Sequence, residues 1–404
     1  MRSDRRNRLA GRLAELEALP ERLVLGLSSG TSHDGIDSAL VRIRGHGERV
    51  GASLIAFHCF PFSEEIGRGI ARVSGLSTPE LARLHFALGE AFAAAALDLL
   101  ESVGVAPGDV HLVGSHGQTV FHEPPGDRTP GATMQIGEAD IVAARTGVLT
   151  VSDFRTADVA VGGSGAPLIP LVDWLLFRDP GRARLMLNIG GIANVTWVVD
   201  AIEEVRAFDT GPGNSLIDLI VAEATGGVER YDSGGARAAA GRVDESAVRA
   251  FLGLPYFRQP PPKSTGRELF GVDAARDLAA LVRPNRAVAD LADAEIADLL
   301  ATATAVTARS VRDSVRFLPA EPALSEVVVS GGGARNATLV AMLSDAFAPT
   351  PVVGLEDLGM DPDAKEAVGF AVLANETLFG GPGNLEAATG AGRRVVLGKL
   401  SPGF

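Results

Sequence analysis

The chain is poor in the residues that would place it in several large classes of protein. Its single cysteine, Cys59, rules out a disulfide framework and any multi-cysteine metal site. Cys59 therefore reads as a small buried apolar residue, in keeping with a reducing, cytoplasmic setting. No run of about 18 apolar residues occurs, so no transmembrane helix is expected. The seven histidines, at positions 33, 46, 58, 85, 111, 116 and 122, all lie in the first third. A nucleophile elbow of the form G-x-S-x-G, found at Gly26-Leu-Ser28-Ser-Gly30, thus has no late histidine to complete a hydrolase triad. There is no G-x-x-x-x-G-K-[ST] loop. Positive charge is also in deficit, at a net of −13, which argues against a nucleic-acid or membrane-surface partner and leaves any anionic ligand to local groups.

What is present is an ordinary globular composition, 46% hydrophobic and 22% charged over 404 residues, enough for two domains. The first twenty residues carry Arg2, Arg5, Arg6, Arg8 and Arg12 without the apolar core of a secretory signal, and read as a solvated helical extension. Apolar runs at 23–27, 38–43 and 52–60 read as an antiparallel meander. Thr78 is the expected cap of a helix with Pro79 at its first position, and apolar residues from Leu81 to Leu99 follow at spacings of three and four. The same grammar recurs from 184: strand, turn at Gly190-Gly191, strand, then a third strand at 205–208. Two such domains imply an α/β fold with ligand-bearing turns on the walls of an interdomain cleft.

The stretch from Gly26 to Asp37 is the richest in chemistry. Its glycines would let the backbone turn tightly, and Ser28, Ser29, Thr31 and Ser32 would add hydroxyls to backbone N–H donors around a phosphate. Asp34 is a candidate oxygen ligand for magnesium. Asp209, beside Gly211 and Gly213, is either a turn-former or a general base. Lys263-Ser264-Thr265-Gly266-Arg267 on a proline-stiffened loop is either solvated or an anion contact. Gly331-Gly332-Gly333 follows a short apolar strand, the kind of turn that admits an extended ligand, but Asn336 spoils a dinucleotide fingerprint. Glu366 reads as a first-turn charge of the last long helix.

Taken together and in order, the motifs resemble one family. They are SGTSHDGID (29–37), GSHGQTVFHEP (114–124), TMQIGEADIVAARTG (133–147), DFRTADVAVGGSGAPLIP (153–170), LNIGGIANVT (187–196), FDTGPGN (208–214), PKSTGRE (262–268), SGGGARN (330–336) and DAKEAVGFAVLA (363–374). The chain is similar over about 23–402 to the anhydro-N-acetylmuramic acid kinases of the actin and sugar kinase superfamily. That resemblance implies a two-domain actin-like, ribonuclease H-like ATPase fold: an extension at 1–22, domain I at 23–150 plus about 366–404, and domain II at 151–365. It implies an ATP- and Mg2+-dependent cytoplasmic kinase, commonly dimeric, that opens a 1,6-anhydro sugar and phosphorylates O6. Asp209 would be the base. Gly30, Thr31, Ser32, Asp34, Gly35, Asn188, Gly190, Gly191, Gly331, Gly332 and Gly333 would contact ATP, and His116, Gln118, Arg155 and Glu366 the sugar.

The chain departs from the family's usual FRxRD and GGQGAPL, with Ala157 before Asp158 and Ser164 in place of the Gln. Loss of a cation there bears on the lactyl carboxylate of the muramic sugar. Levoglucosan kinase, a relative acting on a neutral 1,6-anhydro sugar, shares the LPYF at 254–257 and the LGKLSPG at 397–403. A neutral anhydro sugar is therefore the alternative substrate, and a non-catalytic sugar sensor the alternative of another class.

Overall fold

The computed structural model describes residues 8–30, 35–126 and 129–403. The chain divides into two compact units: residues 1–176 with 363–404, and residues 177–362. The first change of unit therefore comes about 26 residues later than the sequence reading had it. The reason is that the segment after 150 is tied into the first sheet and, through Asp158, to Asn384 and Thr389 of the C-terminal segment.

The first unit opens with helix α1 (Arg8–Ala18). The extension is helical as expected, but not simply solvated: Leu16 is fully buried. The buried Arg22 guanidinium donates to Leu19 O and Gly45 O, both at 2.8 Å, and to Asn375 Oδ1 at 2.8 Å. Strands β1 (Glu21–Ser29), β2 (Gly35–Arg44) and β3 (Gly51–Pro61) pair antiparallel, the meander read from the apolar runs. β3 is the edge strand and none of its side chains is fully buried, so Cys59 is exposed rather than buried. Helix α2 (Thr78–Ser102) is capped not by Thr78 but by Ser77, whose N–H donates to Glu80 at 2.8 Å, the reciprocal half of a capping box. Its apolar stripe, Leu84, Leu88, Phe92 and Leu99, packs on Leu25, Leu27 and Leu40 of the sheet. Strand β4 (Leu112–Glu123) lies parallel to β1; β5 (Ala132–Ile136) and β6 (Thr150–Ser152) both pair with β4.

The second unit begins within helix α3 (Ile169–Phe177) and repeats the meander with β7 (Ala183–Ile189), β8 (Ile192–Val198) and β9 (Arg206–Pro212). Helix α4 (Ser215–Ala224) follows, and the long helix α5 (Asp293–Ser314) is buried along most of its length. Strands β10 (Leu324–Ser330) and β11 (Val352–Gly354) complete a five-stranded sheet in the order β11-β10-β7-β8-β9, with helix α6 (Ala337–Phe347) after β10. The chain then returns to the first unit as helix α7 (Lys365–Leu378) and strand β12 (Lys399–Ser401), which closes the seven-stranded sheet against β6.

Helix α7 lies on β1 and β4 at backbone distance. A Cβ on Gly26 would sit 1.8 Å from Ala367 O, and one on Gly114, its neighbour in the parallel pair, 2.3 Å from Phe370 O. Gly26 is thus no part of a phosphate turn. It lies inside β1, and its missing side chain is the room in which α7 rests.

Candidate functional site

In the second unit the structure builds a carboxylate site on β9. Asp209 Oδ2 accepts hydrogen bonds from Ser264 Oγ at 2.8 Å and from the Thr265 N–H at 2.9 Å. Its backbone is pinned as well, the N–H donating to Lys263 O at 3.2 Å and the carbonyl accepting from Tyr256 Oη at 2.8 Å. Oδ1 has no hydrogen-bond donor among the described residues, so one oxygen is oriented and the other is open to a proton. Burial raises the Asp209 pKa above the ordinary aspartate value, and the hydrogen bonds from Thr265 and Ser264 only partly offset it. That combination suits a general base, which works best when its proton affinity lies nearer the operating pH. The Lys263-Ser-Thr loop is therefore an anion contact, and the anion is the protein's own Asp209.

Two glycine turns lie at the carboxyl ends of neighbouring strands in the same unit. In the β7–β8 turn, Gly190 O and Gly191 O accept the N–H groups of Asn214 (2.8 Å), Gly213 (2.9 Å) and Ser215 (3.1 Å), which fixes the start of α4. Gly331, with φ +78° and a would-be Cβ 2.7 Å from Asn188 Oδ1, and Gly333, 2.3 Å from Ile189 Cγ2, are needed for packing. Gly191 has nothing within 4 Å and Gly332 meets only Asn214 Nδ2 at 3.7 Å. The structure thus brings Asn188, Gly190, Gly191 and Gly331–333 together, leaving open backbone at Gly191 and Gly332.

The first unit holds the other expected residues. Arg155 Nε donates to His116 Nε2 at 2.9 Å, and its Nη1 to Gly165 O at 2.8 Å. His116 Nε2 must then be the acceptor, which leaves Nδ1 as the N–H donor to Gly117 O at 2.9 Å. Burial, reinforced by Arg155, keeps this imidazole neutral, and its ring stacks on Phe370 of α7 at 4.4 Å. Glu366, in the first turn of α7, has its pKa raised by burial, with Arg155 pulling the other way. Lys365 beside it forms a buried pair with Asp173, Nζ to Oδ1 2.9 Å. Gln118 is fully buried: Oε1 lies 2.7 Å from Ser29 Oγ, and Nε2 donates to Thr119 O at 3.1 Å. Ser29 Oγ also lies 2.9 Å from Gly35 O, so its hydroxyl is spent inside the protein, not offered to a phosphate. Gly35 itself begins β2, tight against Phe60 O. Gly30 ends the described part of this turn; Thr31, Ser32 and Asp34 lie outside the described residues.

Sequence reasoning missed Asp158. Fully buried, it accepts from the Gly165 N–H at 2.7 Å, Asn384 Nδ2 at 2.7 Å and Thr389 Oγ1 at 2.8 Å, tying the Arg155 segment to residues more than 220 positions away. Ser164 serves the same tie, its hydroxyl directed at Ala166 O and Thr389 O. Asp158→Asn would set an NH2 group against donors in a buried site. It should cost about 1–3 kcal/mol of stability, read as a lowered denaturant midpoint at unchanged m-value. The one legible signal was the unbroken run of small and polar residues from 162 to 166.

A half-buried, oriented carboxylate with one open oxygen, and glycine turns with exposed backbone in the same unit, would suit an enzyme that moves a proton from a hydroxyl or water beside a phosphate donor. Comparison with known proteins gives that class a family. The anhydro-N-acetylmuramic acid kinase family matches residues 22–403. A protein of that name from Gloeobacter violaceus is 46% identical over 386 residues, 94% of this chain and 98% of its own. Another, from Caldanaerobacter subterraneus subsp. tengcongensis, is 42% identical over 400 residues, 96% of this chain and 99% of its own. Among solved structures, the activator of 2-hydroxyisocaproyl-CoA dehydratase from Clostridium difficile matches over 88% of this chain and 96% of its own at 15% identity, with a TM-score of 0.41. The chain belongs to the anhydro-N-acetylmuramic acid kinase family, whose members are ATP-dependent sugar kinases.

Proposed function

We propose that this chain uses ATP to open the 1,6-anhydro ring of anhydro-N-acetylmuramic acid and to phosphorylate the released O6, with Asp209 as the base. The observation that carries the reading is the state of Asp209: Oδ2 held by Ser264 and Thr265, Oδ1 open, and proton affinity raised by burial. In the step this supports, Asp209 takes a proton from water as the water oxygen bonds to the anomeric carbon. The bond from that carbon to O6 breaks, O6 displaces ADP from the γ-phosphorus, and the Asp209 proton passes to solvent. Glu366 and Arg155 of the first unit are the sugar contacts, Arg155 being a cation for the lactyl carboxylate now that Ala157 is neutral. The open backbone at Gly191 and Gly332, with Asn188, fits an extended nucleotide. Magnesium would neutralise phosphate charge. Its candidate ligand, Asp34, lies outside the described residues, and among those described no cluster of three His, Cys, Asp or Glu could hold a metal.

The test is ADP release with ATP on anhydro-N-acetylmuramic acid and on levoglucosan side by side. Preference for the muramic sugar supports the reading. Preference for levoglucosan would make the 157 and 164 changes a changed pocket, and no release on either sugar would make the chain a sensor. The pH profile has a direction too. The base must be ionised, so turnover should fall as pH drops through the Asp209 pKa. That acid limb should lie above the ordinary aspartate range in a kcat-against-pH series, because burial raises the pKa.

A further inference from the structure

The chain contains 37 lysines and arginines together, of which only Lys263, Lys365 and Lys399 are lysine. Lys263 is placed where its charge has consequences for the base. Its ammonium lies over three rings, Tyr256 at 4.5 Å, Phe317 at 5.2 Å and Phe208 at 5.9 Å from their centroids, and donates to Tyr256 O at 3.3 Å. The same residue's carbonyl receives the Asp209 N–H, the next two residues hold Asp209 Oδ2, and the Tyr256 hydroxyl holds the Asp209 carbonyl. Beyond its place in the β8–β9 ladder, the hydrogen bonds that hold Asp209 thus come from Tyr256 and from the loop that Lys263 anchors. A cavity of about 20 Å³ lined by Thr210, Phe257, Lys263, Arg316 and Phe317 has room for one water, enough to serve a further ammonium donor.

We infer that Lys263 is a positioning residue for the reaction: its side chain, seated among Tyr256, Phe317 and Phe208, anchors the 263–265 loop and thereby aims the Asp209 carboxylate. The inference rests on Asp209 being the base proposed above. Aromatic rings attract an ammonium and have no such attraction for a neutral amine. The charged groups around it act in both directions. Arg316, which stacks on Phe317, disfavours the ammonium and Asp209 favours it; Glu268 acts on Asp209 and Tyr256, and Asp313 lines the same cavity. Burial, with Arg316 second, brings the Lys263 pKa down to about 8. A seated pKa below the free lysine value means that loss of the proton does not release the loop: the neutral amine is seated at least as readily as the ammonium, so the anchoring holds on both sides of pH 8.

The experiment has two arms. In the first, kcat is followed from pH 6 to 10 for the wild type, Lys263→Met and Lys263→Arg. The wild type should keep its turnover through pH 8. Lys263→Met should be lower by about 10- to 100-fold throughout, with the KM for ATP little changed, and Lys263→Arg, which keeps a donor for Tyr256 O, should recover part of the loss. A Lys263→Met enzyme with wild-type kcat overturns the inference. The second arm needs no turnover: three lysines give three side-chain resonances in lysine-labelled protein. Lys263 should titrate near pH 8, and lower in Asp209→Asn, which removes its attracting carboxylate. A Lys263 resonance indifferent to Asp209→Asn overturns the inference even if the Lys263 variants fail to fold. A wild type that turns over neither sugar overturns the proposed function instead, leaving this second arm to decide the coupling.

Discussion

Asp209→Asn should lower kcat by roughly 10²–10⁴-fold, the range a positioned proton-transfer group contributes, while the KM for ATP stays within a few-fold. The substitution is nearly isosteric. With the amide oxygen in the Oδ2 position, it still accepts from Ser264 Oγ and the Thr265 N–H. What it loses is the ability to take a proton at the open oxygen. The stability change has a favourable sign: burial disfavours the charged form of Asp209, so a neutral amide relieves that cost, and thermal unfolding should occur at the wild-type temperature or slightly above. A dead enzyme that is at least as stable separates a chemical role from a structural one. Unimpaired turnover in Asp209→Asn would remove the base from the proposed mechanism.

Much of this arrangement was legible in the chain itself, and the parts that were not share a physical cause. The two strand meanders, the glycine turn at Gly190-Gly191 and the strand running into Gly331 are written in local periodicity, which needs no knowledge of distant neighbours. Asp209 stood out only through the family resemblance, since an acid beside glycines is by itself more often a turn-former. Gly26 was misread because a glycine that makes a turn and one that admits a helix look alike in sequence; what distinguishes it is Ala367, 341 positions away. Ser28 and Ser29 were assigned to phosphate on the same local logic, yet both are buried. Asp158 has no local signature, since its partners Asn384 and Thr389 return only with the last segment. The Lys263-Ser-Thr loop carried the right chemistry without its target, because hydroxyls on a loop can face water or an interior carboxylate with equal ease. Those misses sit where elements distant in sequence meet, which is also where the residues of the site are held.

Gly26→Ala tests that long-range link most directly, and it should be the most damaging single methyl group in the first unit. The added Cβ would stand 1.8 Å from Ala367 O, 2.7 Å from its carbonyl carbon and 3.1 Å from Ala371 N. All three are backbone atoms of α7, so no side-chain rotation relieves the contact and the helix itself must move. Overpacking of this kind costs about 1–3 kcal/mol, and here the strain falls on the residue following Glu366. Gly114→Ala would push the same helix from the neighbouring strand, against Phe370 O at 2.3 Å, and Phe370 carries the stacking face for His116. A displacement of α7 by about 1 Å would shift both the Glu366 carboxylate, the proposed sugar contact, and the support of the Arg155–His116 pair, enough to cost about 10²-fold in turnover. Gly11→Ala in α1, where nothing lies within 4 Å of the new Cβ, is the control and should be neutral or slightly stabilising. Chemical denaturation gives the energetic cost of each variant, and turnover at saturating ATP gives the functional one. If Gly26→Ala keeps full activity while losing stability, α7 absorbs the methyl group without moving Glu366, and the close approach of helix to sheet serves the core alone. If both fall together, the close approach of α7 to Gly26 and Gly114 is what sets the position of Glu366.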